Sequence, residues 1–317
     1  MDMLDALPGP ATAPPTIAPS AFLAMLADGQ PVVADGAMGT LLMAAGLTPG
    51  EAPESWNLRA DTRDRVRAVH DAYIRAGARI VLTNTFGGSP VRLRTHGLAD
   101  RSGELNRAAA GIAREAAGRH GIVAGSMGPL GELLAPFGTI EAHDARAAFA
   151  VQAKGLADGG VDAIWIETMA SLEEATAAVD AVRQVAPGLP IVVTMTFDSH
   201  GRTMMGTTPA AAATTLSTLG VAAIGANCGN GPDEIETAIA AMRLAVPGAV
   251  LVAKGNAGVP RLEGGVPVWD MTPDGAARHA VRVRALGAAV VGGCCGTTPA
   301  HIAAIADALG APRRDAS

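Results

Sequence analysis

The sequence has little aromatic character, with five Phe, three Trp and one Tyr among 317 residues. Its core must therefore be built from small and branched side chains, which suits layered α/β packing. Charge is also sparse, at 17% of residues against 49% hydrophobic, a balance that excludes a disordered chain. There is no basic excess: 24 Lys and Arg face 30 Asp and Glu, a net charge of -6, so the footprint of a nucleic-acid partner is missing. No run approaches the ~18 consecutive apolar residues of a membrane span. The first residues carry acidic groups where a signal peptide carries positive ones, and the expectation is a cytoplasmic protein without a membrane partner. Only three cysteines occur, two of them adjacent. That is a poor disulfide framework and leaves a metal or thiol site.

What is present is a repeating unit. The length allows two small domains or one large one, and an α/β barrel fills about 250 residues as a single unit. Residues 1–20 are rich in proline and small residues, and 312–317 are similar; both are expected to be flexible tails around one domain at 21–311. Eight short apolar runs fall at 31–34, 79–83, 122–125, 162–166, 191–194, 222–226, 250–253 and 288–292. They show no polar alternation, as expected of strands covered on both faces. Each is followed by a stretch with helix signals, such as the apolar spacing of 61–76 and the Ser171/Glu174 capping pattern. Thr208-Pro209, Pro232, Thr272-Pro273 and Thr298-Pro299 mark further helix starts. Eight strand-then-helix units predict a single-domain (β/α)8 TIM barrel. The alternative is a Rossmann-like sheet, but no G-x-G-x-x-G opens a helix after any strand.

In such a barrel the active residues sit at the carboxyl ends of the strands. Those ends hold Asp35-Gly36-Ala37, Thr83, Glu167, Cys228, Asn256 and Cys294-Cys295. Three thiolates are soft donors suited to Zn2+, and three protein ligands leave the fourth tetrahedral position open for a substrate thiol. Two other readings stand beside this one: the cysteines as small buried hydrophobes, and the glycines of strands seven and eight as a phosphate cradle. Asp35 is either a turn residue before Gly36 or a partner for a substrate ammonium. Glu167 emerges from the buried run Ala163-Ile164-Trp165-Ile166, where an unpaired charge is expensive. Asn256 offers a neutral oxygen to a metal, or else a left-handed turn between glycines. Trp56 either lines a site for a cationic methyl donor or packs internally. Most of the seven histidines are expected on the surface, and the methionines as core filler.

These motifs resemble the homocysteine S-methyltransferase family, which includes betaine–homocysteine methyltransferase and the homocysteine-binding module of cobalamin-dependent methionine synthase. The resemblance runs from about Leu23 to Leu309 and rests on Gly292-Gly293-Cys294-Cys295-Gly296-Thr297-Thr298-Pro299 paired with Asn227-Cys228-Gly229. Asp35-Gly36-Ala37-Met38-Gly39-Thr40, Thr83-Asn84-Thr85-Phe86-Gly87-Gly88 and Gly255-Asn256-Ala257-Gly258 support it. It implies a barrel in which Cys228, Cys294 and Cys295 hold Zn2+. The Asp35-Gly36-Ala37 loop and Glu167 then grip the amino-acid end of homocysteine, Thr83 belongs to the substrate site, and Asn256 completes the metal shell before substrate binds.

The implied reaction transfers a methyl group to the homocysteine thiol and forms methionine, with betaine as the favoured donor. One departure bears on betaine: Thr85-Phe86 is followed by Gly87-Gly88, where animal betaine enzymes carry an aromatic residue, so part of an aromatic cage is missing. Trp56 lies in a region similar to one that supplies such a residue. The alternatives are a sulfonium such as S-methylmethionine, or a stand-alone homocysteine module methylated by a separate corrinoid protein. A chain of this length is not expected to hold the folate, cobalamin and activation domains of a complete methionine synthase. A zinc- or thiol-binding protein without turnover is the reading outside enzymes.

Overall fold

The structure is a computed structural model that describes residues 21–198, 200–263 and 266–311; both expected tails, 1–20 and 312–317, lie outside the described residues. The strands, in chain order, are β1 Val32–Val33, β2 Ile80–Leu82, β3 Ile122–Met127, β4 Ala163–Met169, β5 Ile191–Met195, β6 Ala223–Cys228 and β7 Leu251–Gly255. The hairpin strands β8 Arg261–Glu263 and β9 Val266–Val268 follow, and then β10 Ala288–Gly293. Eight of them form one parallel sheet in the order β1-β10-β7-β6-β5-β4-β3-β2. A parallel bridge between Ala34 and Ile80 joins its two ends. Around that bridge the Asp35 amide donates to the Ile80 carbonyl at 3.0 Å and the Arg79 amide to the Val33 carbonyl at 2.7 Å. The predicted (β/α)8 barrel is therefore present, with all eight apolar runs as its staves. No helix among the described residues is long and apolar enough to cross a membrane.

Several helix starts follow the local signals. Ser171 accepts from the Glu174 amide, Thr208 from Ala211 and Thr272 from Gly275, each satisfying an amide that the helix leaves unpaired. At Thr298 the box is closed by the imidazole of His301 in place of a carboxylate. Four of the seven histidines, His96, His120, His143 and His200, are exposed as expected, while His70, His279 and His301 are buried. His279 pairs with Glu236 at 2.8 Å. His70 is fully enclosed with no ring partner, and burial lowers its pKa to about 4, so it packs as a neutral ring.

Two apolar layers result, one between barrel and helices and one inside the barrel. The inner layer holds Leu82, Ala124, Trp165, Val192, Val252 and Val290, and its floor is Phe22. Phe22 belongs to helix Ala21–Ala27, an element without a predicted counterpart. Side chains on a strand alternate in direction, so two residues beyond the apolar layer the same inward faces carry Ser126 after Ala124, Glu167 after Trp165, Thr194 after Val192 and Lys254 after Val252. All four are buried. The barrel is thus oil below and polar above.

Because Phe22 is 0% exposed, its loss leaves a void in the inner apolar layer. Phe22→Ala is expected to destabilise by about 3–5 kcal/mol, measured by urea unfolding, while the sheet-top residues keep their arrangement.

Candidate functional site

The strand register brings the cysteines together. Gly255 at the end of β7 is the ladder partner of Cys228 on β6 and of Gly293 on β10. The Cys294 amide donates to the Gly255 carbonyl at 2.8 Å, and the Ala257 amide donates to the Cys295 carbonyl at 2.9 Å. The Cys228 sulfur lies 3.6 Å from that of Cys294 and 4.0 Å from that of Cys295, and all three lie within 4.8 Å of one another. Tetrahedral Zn2+ with Zn–S of about 2.3 Å sets sulfurs about 3.8 Å apart, so the donor set fits. The hydrogen bonds that Cys295 shares with Cys228 and Cys294 pull its thiol well below the ordinary range, while Cys228 is pushed upward by the same bonds and by burial. Three thiols this close titrate as a unit, and a cation held among them favours their thiolate forms.

Backbone strain accompanies this arrangement. Cys228 has φ 64° and Thr168 has φ 62°, values that non-glycine residues seldom adopt. Asn227 clamps the second of them: its Oδ1 accepts from the Thr168 amide at 2.8 Å and its Nδ2 donates to Thr168 Oγ1 at 2.7 Å. After the paired cysteines Gly296 has φ 79°, and a Cβ there would strike the Trp269 ring. Trp269 follows the β8–β9 hairpin, and no sequence signal placed it over the cysteines.

Below the sulfurs lies a buried polar group. The Lys254 Nζ donates to Asp35 Oδ1 at 2.7 Å, and Asp35 Oδ2 accepts from the Leu82 amide at 2.7 Å. Ser126 Oγ donates to Glu167 Oε1 at 2.5 Å. Thr83 accepts from the Ser126 amide at 3.0 Å and shares a hydroxyl bond with Thr85 at 2.6 Å, so it fixes Ser126, which in turn fixes Glu167. Burial raises the Glu167 pKa to about 7, with Lys254 acting against the rise. Burial works against the Lys254 charge, but Asp35 and Glu167 outweigh it and hold the lysine protonated. Burial also pushes the Asp35 carboxyl up, opposed by Lys254 and the Leu82 amide.

A cavity of about 680 Å³ opens above these groups, lined by Asp35, Gly36, Ala37, Thr83, Glu167, Lys254 and the three cysteines, a size ordinary for a small-molecule site. Tyr73 donates its hydroxyl to the carbonyls of Ala37 at 2.9 Å and Thr297 at 3.1 Å, tying the Gly36–Ala37 loop to the turn after the cysteines. Two expected residues stand apart. Asn256 is buried beside Cys228, whose carbonyl accepts from its backbone amide at 3.3 Å; its Nδ2 donates to the Gly229 carbonyl at 2.6 Å and its Oδ1 has no partner among the described residues. Trp56 is 2% exposed, off the cavity, and bonded through Nε1 to Glu51 at 2.9 Å with Arg65 over its ring. The wall's aromatic rings come from Phe86 and Trp269, and the Arg92 guanidinium lies over Phe86 at 5.6 Å. Lys254 was missed although it carried a signal: it is the first charge after the apolar run 250–253 and shares the face of inward-facing Val252 on β7.

The family profile described as homocysteine S-methyltransferase matches residues 32–309. A methionine synthase from Mycobacterium tuberculosis is 37% identical over 295 residues, covering 88% of this chain. One from Mycobacterium leprae is 35% identical over the same length. The chain spans about a quarter (24%) of the length of these relatives. Among solved structures, the metallated homocysteine methyltransferase MmuM from Escherichia coli is 25% identical with a TM-score of 0.74, covering 90% of this chain and 98% of its own.

Glu167 supplies a test of the site's electrostatics. Its carboxyl is raised from 4.5 to about 7, so between those values the folded protein holds a proton that the unfolded chain has lost. Stability from this group is therefore present at low pH and is lost as pH rises toward 7. Glu167→Gln is expected to stabilise the ligand-free protein at pH 8 by roughly 3 kcal/mol, and by little at pH 5, in thermal melts across that range.

Proposed function

This chain belongs to the homocysteine S-methyltransferase family, and from that premise we propose that it methylates the thiol of homocysteine to methionine, using Zn2+ held by Cys228, Cys294 and Cys295. The observation that carries the proposal is the sulfur triangle at the base of the cavity. Bound there, the metal supplies the substrate sulfur as a thiolate at neutral pH, which makes a general base unnecessary.

The protein's own groups do the holding. Glu167, fixed by Ser126, receives the substrate ammonium, and pairing draws its raised pKa back down. The Asp35-Gly36-Ala37 loop closes one side of the amino-acid site, and Tyr73 fixes its distance from the cysteine turn. Thr83 acts through Ser126. Asn256, with its unpartnered Oδ1, is the further ligand of the substrate-free site. Positioning of sulfur against an incoming methyl group, in a cavity with apolar walls, supplies the acceleration.

Betaine is the first donor to test. A quaternary ammonium is recognised by aromatic faces; here Trp56 is off the cavity and the Phe86 ring already has the Arg92 cation 5.6 Å from its centroid, with Trp269 the other ring on the wall. Those placements and the likeness to methionine synthases favour a second reading, in which a separate corrinoid protein brings the methyl group.

Methionine formation from homocysteine by zinc-loaded protein, with betaine as sole donor and no corrinoid, decides between them: turnover supports betaine, and its absence with zinc bound moves the donor to the corrinoid or to a sulfonium. Cys295→Ser is expected to lose bound zinc and at least about 100-fold of methionine formation, since even outer partners of metal ligands cost 10- to 100-fold. Intact turnover without zinc would end the proposal.

A further inference from the structure

Lys254 is 2% exposed yet lines the cavity. A buried ammonium is tolerated only with partners. Its single protein hydrogen bond among the described residues goes to Asp35, and the Trp165 ring lies 5.5 Å away. An ammonium has three donors, so two remain beyond the one given to Asp35.

Asp35 itself is occupied. One oxygen holds Lys254 and the other holds the Leu82 amide. A substrate ammonium brought to Asp35 would meet the Lys254 charge at close range in a dry site, where like charges repel strongly. Glu167 differs: its partner is the neutral Ser126 hydroxyl, and it forms no ion pair with Lys254 although each feels the other's field. The polar layer therefore presents an anion and a cation, separately anchored and both on the cavity wall. This charge pattern complements a zwitterionic amino-acid head.

We propose that Lys254 reads the carboxylate of the thiol substrate while Glu167 takes its ammonium, and that Asp35 is the positioning residue that aims Lys254. This rests on the reading of the cavity as a homocysteine site and changes the part of Asp35 within it. The substrate class follows: a thiol bearing a free α-amino acid head, and not a simple aminothiol.

The test compares binding of three thiols to zinc-loaded protein by calorimetry: homocysteine, 3-mercaptopropylamine, which lacks the carboxylate, and 4-mercaptobutyrate, which lacks the ammonium. Lys254→Met is the direct variant, and Lys254→Met/Asp35→Asn removes both charges so that no buried carboxylate is left alone if the single change fails to fold. Loss of a charge-assisted hydrogen bond is expected to weaken homocysteine and 4-mercaptobutyrate by about 10- to 100-fold, with 3-mercaptopropylamine weakened less than about 3-fold. An equal loss for all three thiols would overturn the proposal, showing that Lys254 acts through the fold, and would leave the homocysteine reading standing. If the wild-type protein bound none of the three with zinc in place, the homocysteine reading itself would fall.

Discussion

The site depends on one ladder position. Gly255 pairs with Cys228 on one side and Gly293 on the other, and this shared partner sets sulfurs from two non-adjacent strands at one height. Because side chains alternate along a strand, a slip of one residue in β7 would turn an inward face outward. The same register carries Lys254 inward. The placement of the three sulfurs and that of the Lys254 ammonium are thus both consequences of how β7 is seated between β6 and β10.

Above the apolar layer the barrel accepts a costly arrangement. Two carboxylates and a lysine are removed from water, and pairing one of them leaves Glu167 with a pKa near 7. Such groups lower stability more often than they raise it. The apolar floor, with Phe22 and Trp165 fully enclosed, offsets that cost. Strain at Thr168 and Cys228 follows the same pattern, since Asn227 and the surrounding ladder hold conformations that the residues alone would leave.

Much of this was legible in the sequence because its causes are local. Unbroken apolar runs reveal strands buried on both faces, and proline after a polar cap reveals a helix start. The adjacent cysteines were legible as a thiol or metal site by residue type. What escaped is set by long-range geometry. The strands run past their apolar parts, β4 as far as Met169 and β6 as far as Cys228, further than the apolar runs alone indicate. The Asp35–Lys254 pair joins residues far apart in the chain, and no spacing rule links them. His70 and His301 look like surface histidines until the packing is known. Trp56 reads from sequence as a packed residue or a wall residue, and the cavity's outline leaves it packed. Strand β8 carries exposed residues, two of them charged, so its strand character comes from pairing with β9 alone.

The closed floor has a kinetic meaning. With Phe22 sealing the lower end and apolar side chains filling the barrel above it, anything that reaches the cysteines enters through the loops and leaves by the same door. For the methyl transfer proposed above, a single mouth means that acceptor and donor share one route, so whichever molecule sits deeper leaves only after the one above it.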